Sequence, residues 1–215
     1  VSSIYGPEAF AADINVPRET LDRLKIYAAH LAKWQASINL IGPSTLPHVW
    51  QRHMLDSAQL TGLAPEVDPS LGRRRVWLDL GAGAGFPGLV IAIITGDEVH
   101  LIESNAKKCV FLREIVRLTA AANVTVHNCR IEDVTPWPVD IVVARAFAPL
   151  DRLFEYAVPF FGSSTTGLFL KGQHLEEEIV TARKSWNFEA ELLQSRSDEK
   201  GQILKVGRIE RAHGS

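Results

Sequence analysis

The sequence predicts an α/β protein whose sheet is mostly parallel, closed by a C-terminal antiparallel hairpin and preceded by an N-terminal helical segment. Three observations carry that expectation. From Val76 onward, short apolar runs rich in branched side chains alternate with stretches of helical periodicity, the signature of parallel strands covered on both faces. At the first strand-to-helix turn, VWLDLGAGAGFPGLVIAI (Val76 to Ile93) sets Gly81, Gly83, Gly85 and Gly88 within eight positions between two apolar runs, so something approaches that backbone closely. Near the end, AELLQS and ILKVGRIE are separated only by RSDEKGQ, and so short a connection permits only antiparallel pairing.

Taken in order, Pro17 followed by Leu21, Leu24, Ala28 and Leu31 predicts an amphipathic helix running to about Ser37, broken by GPSTLPH. A second helix is expected over VWQRHMLDSAQL, and the turn-rich APEVDPSLGRRR ends the helical region. The expected division is a helical extension, 1–72, packed on a Rossmann-like core, 73–215, in one compact unit. Strands are expected at Val76–Leu80, Val99–Glu103, Val124–Asn128, Asp140–Ala144 and Gly167–Lys171. Between the second and third, a helix places Phe111, Ile115, Leu118 and Ala122 on one face.

With 46% hydrophobic and 22% charged residues, the 215-residue chain has ordinary globular composition. Its longest apolar run, Leu89 to Ile94, is too short to cross a bilayer, and no basic-then-apolar leader is seen, so a soluble cytoplasmic protein without a membrane partner is expected. Cys109 and Cys129 lack disulfide-framework or ligand spacing, which predicts reduced core cysteines and no metal site. A net charge of −2 argues against a general nucleic-acid coat. Arg73, Arg74 and Arg75, and Lys107 and Lys108 with Arg113 and Arg117, leave two readings open: a local RNA contact, or solvated charge on domain edges.

The glycine turn lacks the lysine of a phosphate-binding P-loop. Gly83, Gly85 and Gly88 do satisfy the dinucleotide pattern, and Glu103 lies twenty residues past Gly83, so an NAD-dependent oxidoreductase stays in play. Against it stand Asp79 at the turn, Pro87 at the helix entrance, and too little chain after the fifth strand for a substrate domain. S-Adenosyl-L-methionine suits the turn better, because a sulfonium and an ammonium replace the pyrophosphate. On that reading Asp79 accepts hydrogen bonds from the amino group, directly or through water, while Gly81, Gly83 and Gly85 admit the ligand. Glu103 takes the ribose hydroxyls, and Ile131, Glu132 and Asp133 flank the adenine. A non-catalytic RNA-binding module is the third reading.

The motifs DLGAGAGFPG, LIESNAKKCVFLREIVRL, CRIEDV, VVARAFAPL and LFLKGQ, with LAKWQASINL and RHMLDS upstream, closely resemble the glucose-inhibited division protein B family. These are RsmG-type methyltransferases that modify guanine N7 in a conserved loop of bacterial small-subunit (16S) ribosomal RNA. The similarity spans about Leu21 to Ile209, with one departure at Gln35, where the family usually has asparagine. The resemblance implies a class I S-adenosylmethionine-dependent methyltransferase fold and cofactor contacts at Gly81, Phe86, Ile131, Glu132 and Arg145, with Glu103 at the ribose. It also implies 16S ribosomal RNA as partner; a monomer acting on a small-subunit ribonucleoprotein is the expected form.

Arg145 ends the fourth expected strand, where sites on open α/β sheets lie; it holds the methionine carboxylate or an RNA phosphate, or makes a strand-end salt bridge. Lys171, on the same rim, is either a ligand of a substrate phosphate or a solvated strand-end charge. Arg52, His53 and Asp56, at i, i+1 and i+4, close over the cofactor, touch RNA, or form a structural hydrogen-bonded set. No general base stands out, and none is needed, because guanine N7 carries a lone pair and no proton at neutral pH.

Overall fold

The computed structural model describes residues 5–66 and 72–212. Seven strands form one sheet in the order β3-β2-β1-β4-β5-β7-β6. Strands β1 (Val76–Leu80), β2 (Glu98–Ile102), β3 (Val124–His127), β4 (Ile141–Arg145) and β5 (Thr166–Lys171) run parallel. The last two, β6 (Trp186–Gln194) and β7 (Gln202–Arg211), pair antiparallel as expected, and β7 is the one that joins β5. Each of the five expected parallel strands lies within one residue of its observed bounds, whereas β6 begins four residues before the expected AELLQS.

Alternation along the strands sorts side chains onto two covered faces. Trp77, Val99, Leu101, Ile141, Val143, Leu168 and Ile203 point to one core. Leu78, Leu80, Ile102, Val142, Ala144, Phe169 and Leu204 point to the other. The first face is covered by α4 (Gly88–Thr95), α5 (Ala106–Leu118) and the N-terminal helices; the second by α6 (Leu150–Ala157) and α7 (Leu175–Ala182). Since the order reverses between β1 and β4, the sheet has its topological switch point there, at the carboxyl ends of those strands.

The helical lead begins with α1 (Pro7–Ile14) and α2 (Arg18–Gln35). As the spacing predicts, α2 buries Leu21, Leu24 and Leu31, while Ala28 is half-buried and Tyr27 carries the contact instead. The helix stops at Gln35, before GPSTLPH, and that segment is no simple break: Pro43–His48 form a 3-10 helix. The second expected helix is composite, a π-helical turn over Trp50–Leu55, a single turn α3 (Asp56–Ala58), and a 3-10 turn over Gln59–Leu63. Part of APEVDPSLGRRR lies outside the described residues. On α5 the expected face holds for Phe111 and Ile115, but Leu118 is half-buried and Ala122 is exposed beyond the helix. The chain leaves α5 through Ala120, whose φ of 48° turns it, so Ala121 takes the buried place instead.

Candidate functional site

A cavity of about 860 Å³ opens at the switch point. That is within the roughly 300–1,000 Å³ of small-molecule sites. Its floor is the β1–α4 turn. Gly83 takes a φ of +56°, and a Cβ there would meet nothing closer than Gly81 O at 3.8 Å, so its missing side chain leaves open cavity. Gly81 is a different case: a Cβ would sit 2.3 Å from Phe147 Cδ2, so this glycine makes room for a protein ring. Gly85 packs against Leu89 and the Tyr27 hydroxyl and does not line the cavity.

Glu103, just past β2, lines the cavity and is only 9% exposed. Its Oε2 accepts the Gly83 N–H (2.9 Å) and its Oε1 the Asn105 N–H (2.7 Å). The carboxylate is thereby fixed against the glycine turn, and each oxygen keeps a lone pair for a ligand hydroxyl. Across the cavity, Ile131 and Glu132 lie on a short 3-10 turn after β3 and line the wall beside Tyr156; Asp133 does not. A hydrogen bond from its own backbone N–H, and then the Tyr156 hydroxyl, Arg130 and Arg152, hold the Glu132 carboxyl below its usual range. Phe86 lines the wall and stacks on Tyr27 at 5.2 Å.

Asp79 lies elsewhere than the sequence suggests. It is wholly buried behind the turn, its Oδ2 accepts the Gly88 N–H at 2.8 Å, and it is not in the cavity lining. Its Oδ1 is buried without a partner among the described residues, and burial pushes its pKa up to about 7. In this structure Asp79 holds the first turn of α4; it does not face the ligand space.

Arg145 ends β4 between this cavity and a second one of about 470 Å³. Arg52, His53 and Asp56 all converge on it: the Arg52 carbonyl accepts from Nη2 (2.8 Å), His53 Nδ1 from Nη1 (2.7 Å), and Asp56 Oδ2 faces Nε at 3.2 Å. A guanidinium only donates, so His53 Nδ1 is the acceptor and Nε2–H donates to Thr45 Oγ1 at 2.8 Å. Thr45 in turn donates to the Gly42 carbonyl. Burial and the neighbouring arginines depress the His53 pKa to about 3, in keeping with a neutral ring. Asp56 also takes Ser197, Ser195 and Gln59, so the set ties the β6–β7 turn to the site. Arg52 is paired with Asp198.

Lys171 is not a free cation. Its ammonium is 2.6 Å from Glu178 Oε2 and 2.7 Å from the Ala148 carbonyl, and the side chain is 9% exposed. The basic clusters divide by position. Arg73 forms a bidentate pair with Asp140, and Arg75 pairs with Asp97, both at the amino ends of the strands and opposite the cavity. Arg117 pairs with Glu114, whereas Lys108 lines the cavity.

The family model described as GidB, rRNA small subunit methyltransferase G, matches residues 20–203. The chain belongs to this family. A ribosomal RNA small subunit methyltransferase G from Parvibaculum lavamentivorans is 55% identical over 209 residues, covering 94% of this chain and 89% of that protein. One from Rhodospirillum rubrum is 50% identical, covering 96% and 99%. Among solved structures, a mutant of MtNAS in complex with S-adenosylmethionine superposes with a TM-score of 0.57 at 13% identity, over 94% of this chain and 84% of that one. A precorrin-6y methyltransferase from Geobacter metallireducens gives 0.52 at 13%, over 80% and 92%. The fold is that of class I S-adenosylmethionine-dependent methyltransferases.

Several parts of this methyltransferase-family site escape sequence reasoning. Tyr27 stacks on Phe86 and donates to the Ala84 carbonyl, a contact its place among Leu24 and Leu31 hints at. Gln35, the departure from the family pattern, accepts the Leu40 and Ile41 N–H groups and donates to the Ile41 carbonyl. It thus clamps a loop that lines the cavity. Phe147 and Ser197 have no local signal; only tertiary structure brings them here.

Proposed function

We propose that this protein methylates small-subunit ribosomal RNA with S-adenosyl-L-methionine, at N7 of a specific guanine in 16S RNA. The carrying observation is the cavity at the switch point, open where Gly83 lacks a side chain and bounded by the fixed Glu103 carboxylate. Both features suit a nucleoside cofactor without phosphates, and the family's name supplies the RNA. When bound, the cofactor supplies a methyl group activated by a sulfonium.

The residues then do the following. Gly81 and Gly83 shape the turn that admits the ligand; Glu103 accepts the ribose hydroxyls; Ile131, Glu132 and Phe86 line the cavity around the base. Arg145 offers cavity-facing N–H groups to a carboxylate or to the substrate, held rigid by His53, Asp56 and the Arg52 carbonyl. None of these moves a proton in the reaction. His53 is neutral and already engaged on both nitrogens, and Asp79 is shielded from the cavity. The contribution is positioning, which in favourable systems reaches about 7–11 kcal/mol. We read residues 1–72 as an extension packed on a 73–215 catalytic core, working as a cytoplasmic monomer on a ribonucleoprotein; their shared apolar cluster supports that reading.

Calorimetry with S-adenosylmethionine, its demethylated product and NAD, followed by transfer of labelled methyl to small-subunit RNA, tests the proposal. Tight binding of the first two and transfer at a single-turnover rate nearly flat from roughly pH 6.5 to 8.5 is expected, since no general base titrates there. NAD binding without S-adenosylmethionine binding would overturn it in favour of an oxidoreductase. Cofactor binding with no transfer to any ribosomal RNA would favour a non-catalytic RNA-binding module.

A further inference from the structure

We infer that the second cavity receives the target guanine and that Glu178 reads its Watson–Crick edge; the inference rests on the guanine-N7 reading above. Arg145, Ala146 and Phe147 line both cavities, which therefore adjoin at the carboxyl end of β4. At about 470 Å³, the second has room for a nucleotide. A guanine seated with N7 at that junction, where it can reach the cofactor's methyl group, has O6 on the same edge, toward Arg145. Three N–H groups of Arg145 are engaged by His53, Arg52 and Asp56, and a guanidinium has five. The N1–H and the N2 amino group, on the far side of the purine, then face the lining that the first cavity does not share.

Three carboxylates line the second cavity. Asp56 has Oδ1 engaged by Gln59, Ser195 and Ser197 and Oδ2 by Arg145. Asp198 has Oδ2 engaged by Arg52 and Oδ1 by the Lys200 N–H. Glu178 differs. Its Oε2 accepts the Leu150 N–H (2.8 Å) and Lys171 (2.6 Å), while Oε1 makes no hydrogen bond among the described residues. Lys171 is itself fixed by the Ala148 carbonyl. The result is an oriented anionic acceptor with one oxygen uncommitted. Guanine presents two donors to such an oxygen. Adenine presents the N1 lone pair, which a carboxylate repels, and inosine lacks the N2 amino group. The Glu178 side chain is 28% exposed, so Oε1 meets water until a base covers it; a seated base that lacks the donor then leaves this acceptor desolvated and unpaired, which is where the discrimination arises.

The test first maps the methylated position by aniline cleavage, then places guanine, inosine or adenine there in otherwise identical RNA. The wild-type protein is expected to methylate guanine about tenfold to a hundredfold faster than inosine, the span of one hydrogen bond to a charged group, with no transfer to adenine. In Glu178→Gln, the donors Lys171 and Leu150 N–H call for the amide oxygen, which turns the amide NH₂ toward the pocket. Guanine methylation should fall by about that same factor and the guanine–inosine gap should close with S-adenosylmethionine affinity unchanged, while the melting temperature falls because Lys171 loses its ion pair. Equal wild-type rates on guanine and inosine, which need no variant, would overturn the inference. So would a folded Glu178→Gln protein that keeps the wild-type gap. Should that variant fail to fold, Glu178→Asp, which withdraws the charge by one methylene, is expected to narrow the gap, and an unchanged gap overturns the proposal. If the wild type methylates no small-subunit RNA, it is the functional reading that fails, and the base pocket falls with it.

Discussion

At the scale of single residues, Glu103 shows how one carboxylate both braces a turn and lines the cavity beside it. It holds the Gly83 N–H and faces the cavity, so Glu103→Ala should weaken S-adenosylmethionine binding by roughly 1.5–3 kcal/mol, the range for hydrogen bonds to a charged group. Calorimetry on the folded variant checks this; an unchanged dissociation constant rules out the ribose assignment. His53 and Asp79 make opposite marks on stability. The folded protein holds His53 at about 3, below its ordinary 6.5, so His53 stabilises above pH 6.5 and that contribution is lost as pH falls toward 3. Asp79 is raised from 3.8 to about 7, so the native state keeps a proton that the unfolded chain has lost, and stability falls as pH rises across that interval. Urea melts at pH 4, 5.5 and 7 should therefore show a shallower acid-side loss for His53→Gln, and a steeper rise with pH for Asp79→Asn. Parallel curves for either variant and the wild type would show that the group titrates normally in the folded protein.

At the scale of elements, the site depends on segments that have little regular structure of their own. The loop after α2 lines the cavity, and the three hydrogen bonds from Gln35 hold it. Gln35→Ala should leave those backbone groups to water and cost about 1–3 kcal/mol of stability. It should also weaken cofactor binding severalfold, because the loop must be ordered at the moment of binding. A variant that melts lower yet binds S-adenosylmethionine as tightly as the wild type would separate the loop's stability from its role in the site. The π-helical turn at Trp50–Leu55 belongs to the same scale. It carries Arg52 and His53 and runs straight into Asp56, and together these three hold Arg145. A regular helix is what the residue spacing alone suggests, and a π turn is common where a functional geometry overrides regular winding.

At the scale of the whole molecule, charge is the informative property. A net charge of −2 argues against a broad basic surface, and Arg73 and Arg75 are spent on Asp140 and Asp97 at the far ends of the strands. Shape and a local rim must then supply most of the RNA recognition. Methylation of a partly assembled small subunit should accordingly be faster than that of protein-free RNA, measured with the same labelled cofactor on both. Equal or faster reaction with the bare RNA would count against it. The sequence by itself determined the parallel sheet, its closing hairpin, the glycine turn, and Glu103 and Ile131 at strand ends. Each follows from local periodicity or from a turn that only particular residues allow. Tertiary structure alone decided that Asp79 faces inward to α4, that Lys171 is spent on Glu178, and that Arg145 is gripped by a helical turn some ninety residues earlier. A side chain's local pattern fixes where its backbone lies. Which partner takes its charge is set by segments distant in sequence, and burial makes that pairing obligatory.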